Sequence, residues 1–427
     1  MATETEQSAE SMPDTDILVL GAGIVGTSVA LHLAQRGLKV TLVDRQGPGK
    51  GTSYGNAGII EGNTVFPPAF PSDFGTLLKV VFRRSTIASY HLSFLPQVAP
   101  WLMAFRAASQ PKQLVETAHL MRPLFARAVA EHEELVLASG AGRHLRKTGW
   151  LKLYRSDASI AALKPEFDLA ASFGLSLSPL DIQGALELEP SLAPVFRHAV
   201  FWPGAASIDN PLALTEAYAA RFAALGGVTV KGEARSLRRE GHIWRVETAD
   251  GPAVAEQAVA ALGPWAPDVL EPLGIRLPLG VKRGYHRHFR AQGNAALTRP
   301  VLDADVGYCL APMQQGIRLT TGAEFAARDA PPTPAQLASV LPYAKALFPL
   351  GESVEAQPWM GSRPCFPDSR PVIGKAAGQP GLWLAIGHAH WGLTLGPVTG
   401  RLIAEMVTGA TPFCDPAPYR AERFLGS

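Results

Sequence analysis

Residues 16–26 read DILVLGAGIVG, and this stretch decides the fold. The apolar run at 16–20 predicts a buried parallel strand, and a glycine-rich turn joins it to a predicted helix over 24–36. Gly37 ends that helix, and KVTLV at 39–43 predicts the next strand. This strand–helix–strand order indicates a parallel sheet with a right-handed crossover at the start of the chain.

The glycines of the turn have the GxGxxG spacing that brings a backbone close to a pyrophosphate. Gly21 permits the tight turn, Gly23 lets the phosphates approach, and Gly26 lets the helix pack closely on the strand. The free amides at Ile24 and Val25 and the helix dipole favour phosphate charge. We therefore predict dinucleotide binding here. The motif by itself does not separate FAD from NAD.

Asp44 ends the second strand eighteen residues after Gly26. A carboxylate near this spacing is typical of a ribose-hydroxyl ligand. Arg45 follows it and raises the alternative of a 2′-phosphate, but an acid at the ribose position favours an unphosphorylated ribose. For Arg45 a plain surface charge is the competing interpretation.

A second glycine-rich turn, GHAHWGLTLG at 387–396, joins a predicted strand at 382–386 to a predicted helix at 393–408. A second helix N-terminus is a second site that stabilises negative charge. A reduced flavin develops negative charge around N1 and its adjacent carbonyl, and the backbone amides at 392–395 would receive it. A nicotinamide has no comparable need, so the second turn favours FAD.

The composition excludes several classes of protein. With 427 residues the chain is long for one core, so two domains are expected. A net charge of +2 gives no argument for nucleic-acid binding. Three widely spaced cysteines build neither a disulfide framework nor a metal site, and they fit a cytoplasmic location. No cluster of histidines and acids has metal-ligand spacing, so no metal is expected.

The middle of the chain reads as a second layer inserted between these α/β ends. Helical spacing predicts a long helix over 113–139, which we assign to a substrate-side domain because it carries no phosphate-binding signal. A helix over 211–225 leads to a strand at 228–230, and 234–261 reads as a small β-meander. The most apolar stretch, Leu92–Phe105, is too short to cross a membrane. It is interpreted as buried core or channel wall, with a peripheral contact to the inner membrane as the alternative.

Six segments, taken in order, carry a family resemblance. They are GAGIVG at 21–26 with VD at 43–44, TSYGNAG at 52–58, ALGPWAP at 261–267, RGYH at 283–286, GSRPCFPDSRPVIG at 361–374 and GHAHWGLTLGPVTG at 387–400. Together they span nearly the whole chain. The chain resembles the D-amino acid oxidase superfamily of FAD-dependent oxidoreductases, and within it the D-amino acid dehydrogenase branch most closely.

The resemblance implies an α/β fold in which a Rossmann-like FAD-binding domain is interleaved with a second, α+β substrate-binding domain. The FAD domain would comprise 15–80, 203–275 and 362–420, the substrate domain 81–202 and 276–361, and a disordered tail 1–14. FAD would be noncovalent, because Gly361 stands where the sarcosine oxidase branch has its attachment cysteine, and Cys365 is misplaced. Further implied cofactor contacts are Ser53, Asn56, Ala57, Gly58, Ala234, Gly263, Gly387, Gly392, Leu393 and Thr394. For 53–58 an ordinary turn of small residues is the alternative.

For the substrate, the resemblance implies that Arg363 clamps a carboxylate, for which a guanidinium fork is suited. Pairing with a structural acid is the alternative. Tyr285 and Tyr308 are candidates for a lid or a carboxylate partner, since a tyrosine offers an apolar wall with one hydroxyl. His286 and His388 are candidates for substrate or flavin contacts, against the commoner role of a structural histidine.

These residues and the resemblance predict hydride transfer from the Cα of a small amino acid, a D-amino acid, to flavin N5. The imino acid product would hydrolyse to a keto acid and ammonia. The same chemistry on D-proline, a hydroxyproline, sarcosine or glycine stays open, as does reoxidation of the flavin by oxygen or a quinone. The rival classes are an NAD-dependent dehydrogenase and a flavin-bearing subunit that only passes electrons.

Overall fold

The computed structural model describes residues 15–71, 74–82 and 85–424, so the expected tail at 1–14 lies outside the described residues. The helices are α1 Ile24–Gln35, α2 Phe74–Val81, α3 Leu95–Ala108, α4 Pro111–Ala138, α5 Asp157–Ala161, α6 Lys164–Ser172, α7 Ile182–Leu188, α8 Pro211–Ala224, α9 Ala266–Leu270, α10 Ala335–Leu347 and α11 Gly392–Val407. The strands are β1 Ile17–Leu20, β2 Val40–Asp44, β3 Ile59–Ile60, β4 Ala88–Tyr90, β5 Leu145–Arg146, β6 Trp150–Tyr154, β7 Ser178–Leu180, β8 His198–Trp202, β9 Ala206–Ile208, β10 Val228–Lys231, β11 Arg238–Glu240, β12 Ile243–Thr248, β13 Gly251–Ala255, β14 Gln257–Ala260, β15 Gly280–Ala291, β16 Val301–Asp303, β17 Tyr308–Met313, β18 Gly316–Thr320, β19 Ala323–Phe325, β20 Leu350–Ser353, β21 Trp359–Cys365, β22 Val372–Lys375 and β23 Leu382–Ile386.

A six-stranded sheet carries the two glycine-rich turns. Its order is β10-β2-β1-β14-β23-β22, with the first five strands parallel and β22 antiparallel to β23. Ile17 lies opposite Val40, which confirms the predicted strand–helix–strand unit. Every residue of β1 is buried, and alternate residues enter two separate apolar clusters. Both faces of this sheet are therefore covered, as parallel sheets require.

The predicted helix at 393–408 is α11, and it crosses α1 at close range. A Cβ on Gly396 would lie 3.3 Å from Ile24, and one on Gly400 would lie 2.6 Å from backbone atoms of Ser28. Residues four apart share one face of a helix, so both glycines lie in this crossing. Their lack of side chains lets the helices that follow the two turns pack directly against each other.

Gly400→Ala is expected to destabilise the protein by about 1–3 kcal/mol, because the added Cβ would push α11 away from α1. The matched control is Gly184→Ala in α7, where a Cβ would meet its neighbours only at 3.4 Å and beyond. There alanine is expected to be neutral or stabilising by up to about 1 kcal/mol. Thermal unfolding of the two variants measures both effects, and equal shifts would contradict the close crossing.

An eleven-stranded sheet forms the second layer. Its main path is β4-β19-β15-β18-β17-β16-β6-β8-β7, and β20 and β21 also pair with β15. The long strand β15 is shared by several partners, with β21 paired along Gly280–His286 and β18 along His286–Phe289. Side chains alternate between the two faces of the sheet. One face packs on α10 through an apolar cluster that includes Leu151, Leu310 and Val340.

The long helix predicted over 113–139 is present as α4. Its buried side chains, including Met121, Phe125 and Leu135, share one apolar cluster with residues of α1, α8 and α11. Its apolar face therefore packs against the helices that follow the two glycine-rich turns, and its assignment to a substrate-side domain stays a prediction.

Two further predictions are refined by the structure. The meander is β11-β12-β13, but β14 leaves it and pairs in parallel with β1 and β23. The segment 92–105 is a short 3-10 turn followed by α3, which continues through Pro100. Trp101 and Phe105 of this segment are buried, as the core or channel-wall interpretation expects. Within the described ranges, no helix combines the length and the apolar character that crossing a membrane requires.

Candidate active site

Both glycine-rich turns border one cavity of about 1030 Å³, which strands of both large sheets also line. This volume is at the upper end of ordinary ligand pockets, roughly 300–1,000 Å³. Of the residues selected from the sequence, the cavity lining brings together Gly21, Gly23, Ile24, Val25, Asp44, Arg45, Ser53, Asn56, Ala57, Ala234, Gly263, Tyr285, Tyr308, Arg363, His388, Gly392 and Leu393. The selected residues outside the lining are Gly26, Gly58, His286, Gly387 and Thr394.

The first turn leaves space that a Cβ would fill. Gly21 has φ +97°, and a Cβ on it would lie 2.6 Å from a carbonyl oxygen in the turn after β14. A Cβ on Gly23 would lie 3.2 Å from Ser53 Oγ, and this hydroxyl accepts the amide of Ile24 at 2.9 Å. The turn and the start of α1 thus form a backbone-lined concavity that fits a pyrophosphate. Gly26 has the packing role expected of it, because a Cβ there would overlap the Gly21 carbonyl.

The carboxylate of Asp44 borders the cavity at the end of β2. Its oxygens accept hydrogen bonds from the backbone amides of Ala22 at 2.8 Å, Gln46 at 2.7 Å and Gly47 at 2.8 Å. These donors fix the orientation of the carboxylate and leave it one further acceptor site for a ribose hydroxyl. Arg45 stacks on Trp265, with its guanidinium carbon 4.5 Å from the ring centroid. Trp265 also lines the cavity and was not selected from the sequence.

The second turn presents the start of α11 to the cavity through Gly392 and Leu393. The first amides of a helix have no intrahelical acceptors, so they can stabilise negative charge. His132 supports this turn: its Nε2 donates to the Leu393 carbonyl at 2.7 Å, and its Nδ1 accepts from the Tyr218 hydroxyl at 3.1 Å. Sequence reasoning missed His132, because helical periodicity does not distinguish it from any other buried position of α4.

Acid is expected to destabilise the protein through its buried histidines. Burial lowers the pKa of His132 to about 4 and that of His32 to about 3. A histidine in the unfolded chain titrates near pH 6.5, so below about that pH the unfolded state binds more protons than the native state. The free energy of unfolding should then fall by about 1.4 kcal/mol per pH unit for each such histidine, down to its folded pKa.

Denaturant unfolding between about pH 7 and about pH 5 measures this slope. His132→Gln should make the slope shallower by roughly one such increment. The control is His242→Gln, which changes an exposed histidine and should leave the slope as it is. Identical slopes in the two variants would show that His132 does not supply this proton linkage.

The loop at 52–58 is held by Arg318 of β18, which was not selected from the sequence. Its Nη1 donates to the carbonyls of Tyr54 at 3.0 Å and Asn56 at 2.5 Å. Burial lowers the pKa of this guanidinium to about 10, which still leaves it charged at neutral pH. The Asn56 side chain donates in turn to the carbonyl of His390 at 3.2 Å. Arg318 and Asn56 thus connect the loop to the second sheet and to the C-terminal turn.

His286, His288 and Glu355 bring potential metal ligands within 4.8 Å of one another. Both ring nitrogens of His288 are engaged, because Nε2 accepts from Arg318 at 2.9 Å and Nδ1 hydrogen-bonds Glu355. A guanidinium in this position repels a metal cation, so we assign no metal to the cluster.

His286 stacks on Trp359 with 4.9 Å between ring centroids, and burial lowers its pKa to about 2. The structure does not bring His286 to the cavity lining, so its expected contact with substrate or flavin stays a prediction.

Strand alternation turns both selected tyrosines away from the cavity. Tyr285 and Tyr308 border it along their strands, but both belong to the apolar cluster on the opposite face of the sheet. The Tyr285 hydroxyl also has partners, since it donates to Glu324 at 2.7 Å and accepts from Arg283 at 3.0 Å. The expected roles of lid or carboxylate partner are therefore corrected, because these side chains pack behind the sheet.

Arg363 of β21 lines the cavity. Its guanidinium donates to the carbonyls of Gly322 at 2.7 Å and Thr321 at 3.2 Å. Gly284 on the neighbouring strand leaves the space, because a Cβ there would overlap the guanidinium. Burial lowers the pKa of Arg363, and among the described residues no carboxylate pairs with it. The structural-acid alternative therefore finds no partner in the described part of the chain.

Several titratable residues of the cavity lining were not selected from the sequence. Among them are Glu61, Lys152, Lys282 and His390. Lys152 pairs with Glu166 at 3.6 Å. Burial raises the pKa of Glu61 and lowers that of His390 to about 3, so both neutral forms are favoured. Lys282 directly precedes RGYH, and residues two apart on a strand share one face, so Lys282 lies on the same face as Gly284. This alternation was the sequence signal that could have identified Lys282.

The remaining selected residues make contacts within the protein. Gly58 and Gly387 adopt φ of +77° and +79°, and a Cβ on either would overlap a neighbouring atom. Thr394 uses its hydroxyl to donate to a carbonyl of β3 at 3.1 Å. His388 borders the cavity, but its Nε2 hydrogen-bonds the Thr399 hydroxyl at 2.9 Å. The Thr394 hydroxyl and the His388 Nε2 are thus engaged within the protein.

Comparison with known proteins agrees with this geometry. A family model described as "FAD dependent oxidoreductase" (DAO) matches residues 16–406. A D-amino-acid oxidase of Bradyrhizobium diazoefficiens is 28% identical over 423 residues, covering 96% of this chain and 99% of that protein. A D-amino acid dehydrogenase of Azorhizobium caulinodans is 31% identical, covering 93% of this chain and 96% of that protein. The crystal structure of glycine oxidase from Geobacillus kaustophilus shares the fold, with a TM-score of 0.73, 24% identity and coverage of 96% and 99% of the two chains.

Proposed function

Because this chain belongs to the DAO family of FAD-dependent oxidoreductases, we propose that it oxidises a small amino acid, specifically a D-amino acid, at its Cα. The observation that carries the proposal is the guanidinium of Arg363, which borders the cavity and has no carboxylate partner among the described residues. A buried cation without an acidic partner in the protein suits an acidic ligand. The relatives named D-amino-acid oxidase and D-amino acid dehydrogenase support the substrate class.

The residues present fit FAD in its expected place. We propose that Gly21 and Gly23 receive the pyrophosphate, Asp44 a ribose hydroxyl, and the amides at Gly392 and Leu393 the negative charge of the reduced ring. When bound, FAD supplies the acceptor for a hydride from the substrate Cα. Every other requirement of the reaction falls to the side chains and backbone of this chain.

We propose that the FAD is noncovalent. Cys309 and Cys365 both line the cavity, and burial raises the pKa of Cys309 to about 12 and also raises that of Cys365. A thiol with a raised pKa stays protonated at neutral pH and is a poor nucleophile. FAD released into the supernatant on denaturation is the expected result.

Arg363 would fix the substrate by two parallel charge-assisted bonds to its carboxylate. The carbonyls of Thr321 and Gly322 hold the guanidinium, so the Cα that follows the carboxylate is held in a fixed orientation. The apolar side chains at this end of the cavity, among them Phe70 and Phe105, disfavour a charged ammonium. The substrate amine is thereby favoured in the neutral form, which is the form that can lose a hydride from Cα.

Anaerobic mixing of the FAD-loaded protein with a panel of amino acids tests the proposal. D-amino acids are expected to bleach the flavin absorption, whereas their L-enantiomers serve as matched controls. Bleaching by glycine, sarcosine, D-proline or a hydroxyproline alone would move the assignment to the secondary-amine or glycine alternative. A yellow protein that no amino acid bleaches would refute the proposed oxidation.

We propose oxygen or a quinone as the electron acceptor, and admitting air or a soluble quinone to the bleached protein tells the two apart.

For location we propose the cytoplasm, because the three cysteines are unpaired thiols. A peripheral membrane contact is the competing proposal, supported by the exposed side chains of Phe82 and Met103. Co-sedimentation of the purified protein with anionic lipid vesicles tests it.

A further inference from the structure

We propose that Lys282 forms a second anion site in the cavity, and that the preferred substrate is therefore an amino acid with an acidic side chain. The proposal names the substrate class of the same site and rests on the proposed oxidation. It starts from the pairing of two strands, β15 and β21, whose side chains reach the cavity.

Lys282 and Arg363 lie directly opposite each other in this antiparallel pair. Directly opposite residues project to the same face of a sheet, with Cβ atoms about 4.5–5.5 Å apart. Both residues line the cavity. Two cationic side chains are therefore neighbours on the wall that would receive the substrate.

Neither cation has an acidic partner among the residues that the structure describes. Arg363 donates to two carbonyls, and the ammonium of Lys282 makes neither a hydrogen bond nor an ion pair within the same residues. It lies instead 4.0 Å from the ring centroid of Phe105 and 5.1 Å from that of Trp101. Aromatic faces attract a cation but replace only part of its lost hydration, and like charges that face each other are unfavourable.

The other charged groups at this end of the cavity do not neutralise the pair. Lys152 has its own partner in Glu166. Glu61 accepts a hydrogen bond from Thr64 and lies 3.9 Å from His390, and burial raises its pKa toward the neutral form. Burial lowers the pKa of Lys282, and the nearby charge of Arg363 lowers it further. A bound carboxylate would oppose both effects and favour the charged ammonium.

A ligand with two acidic groups satisfies both cations at once. Its α-carboxylate would bind the fork of Arg363, and its side-chain carboxylate would bind the ammonium of Lys282. The rings of Trp101 and Phe105 would cover the methylene groups between the two acids. D-glutamate and D-aspartate have this chemistry, whereas D-glutamine and D-asparagine have the same shape without the second charge.

Binding of glutarate and valerate to the FAD-loaded protein tests the site without turnover. The two acids have equal chain lengths, and their affinities can be read from the perturbed visible absorption of the flavin. Glutarate is expected to bind roughly 10- to 100-fold more tightly, the range of a hydrogen-bonded charge pair. Equal affinities in the unaltered protein would overturn the proposal.

Lys282→Met is expected to bring the glutarate-to-valerate ratio close to unity, and Lys282→Arg to preserve it. The matched control is Lys375→Met, which removes an exposed lysine 5.3 Å from the ring centroid of Trp383 and outside the cavity lining. Should the methionine variant fail to fold, the arginine variant and the unaltered protein still decide the question. If Lys282→Met weakens both acids equally, then both cations hold one carboxylate and the second anion site is refuted.

A kinetic comparison of D-glutamate with D-glutamine completes the test. A ratio of kcat/KM of roughly 10 to 100 in favour of D-glutamate, abolished in Lys282→Met, supports the substrate class. Tight glutarate binding without bleaching by any amino acid refutes the oxidation but supports the anion site. Bleaching by D-alanine together with equal affinities for glutarate and valerate supports the oxidation but refutes the anion site.

Discussion

Arg363→Met is expected to lower kcat/KM for the amino acid substrate by roughly 10²- to 10⁴-fold, mainly through KM. Removing one partner of a buried, hydrogen-bonded charge pair costs about 2–5 kcal/mol, and each 1.4 kcal/mol is tenfold. In this variant the substrate carboxylate has no guanidinium to bind, and the substrate Cα has no fixed orientation. Steady-state kinetics with the amino acid that bleaches the flavin most rapidly measure the effect.

Arg287→Met is the matched control for this variant. Arg287 lies on β15 and also donates to backbone carbonyls, at Glu355 and Ala356, but it does not line the cavity. Loss of the Arg287 guanidinium should leave kcat/KM within about threefold of the value for the unaltered protein. Gly284→Ala should reproduce part of the Arg363→Met defect, because a Cβ there would displace the guanidinium without removing it. Normal kinetics in both Arg363→Met and Gly284→Ala would place the carboxylate site elsewhere.

Gly26→Ala is expected to weaken FAD binding by roughly tenfold to hundredfold and to yield pale protein on purification. A Cβ at this position would overlap the carbonyl oxygen of Gly21, so α1 and the turn before it cannot keep their spacing. Overpacking of this kind costs about 1–3 kcal/mol, and here the strain falls on the backbone that would hold the pyrophosphate. Titration of the FAD-free protein, followed by quenching of flavin fluorescence, measures the affinity.

Gly142→Ala provides the control for the same substitution away from the turn. Gly142 is exposed, and a Cβ on it would meet no atom within 4 Å. FAD affinity and colour should therefore match those of the unaltered protein. If Gly26→Ala bound FAD as tightly as this control, the first turn would not be the pyrophosphate site.

Local sequence patterns were sufficient for the elements that rest on short-range physics. The run at 16–26 determined the first strand, the turn and α1, because a buried strand, a positive φ and a helix start each depend on adjacent residues. The strand at 382–386 and the helix that follows it were predicted for the same reason. These two turns supply seven of the seventeen predicted residues that line the cavity.

The role of the middle of the chain depended on contacts between distant segments. α4 was predicted as a helix, but its apolar face does not say which surface it will meet, and only the structure shows that it packs with α1, α8 and α11. Tyr285 and Tyr308 were selected for their chemistry, yet strand pairing turns them behind the sheet. The same pairing puts Lys282 opposite Arg363, a match that depends on the register of two strands far apart in sequence.

The sequence by itself determined two helix starts suited to negative charge, those of α1 and α11, and its six motifs carried the family resemblance. Only the tertiary structure decided which side chains share the cavity. The physical reason is that the side-chain period of a strand is two, so pairing and register, not residue type, decide which face each group occupies. A single residue of slip in β15 would turn Lys282 to the opposite face of the sheet and bring Arg283 to the cavity in its place.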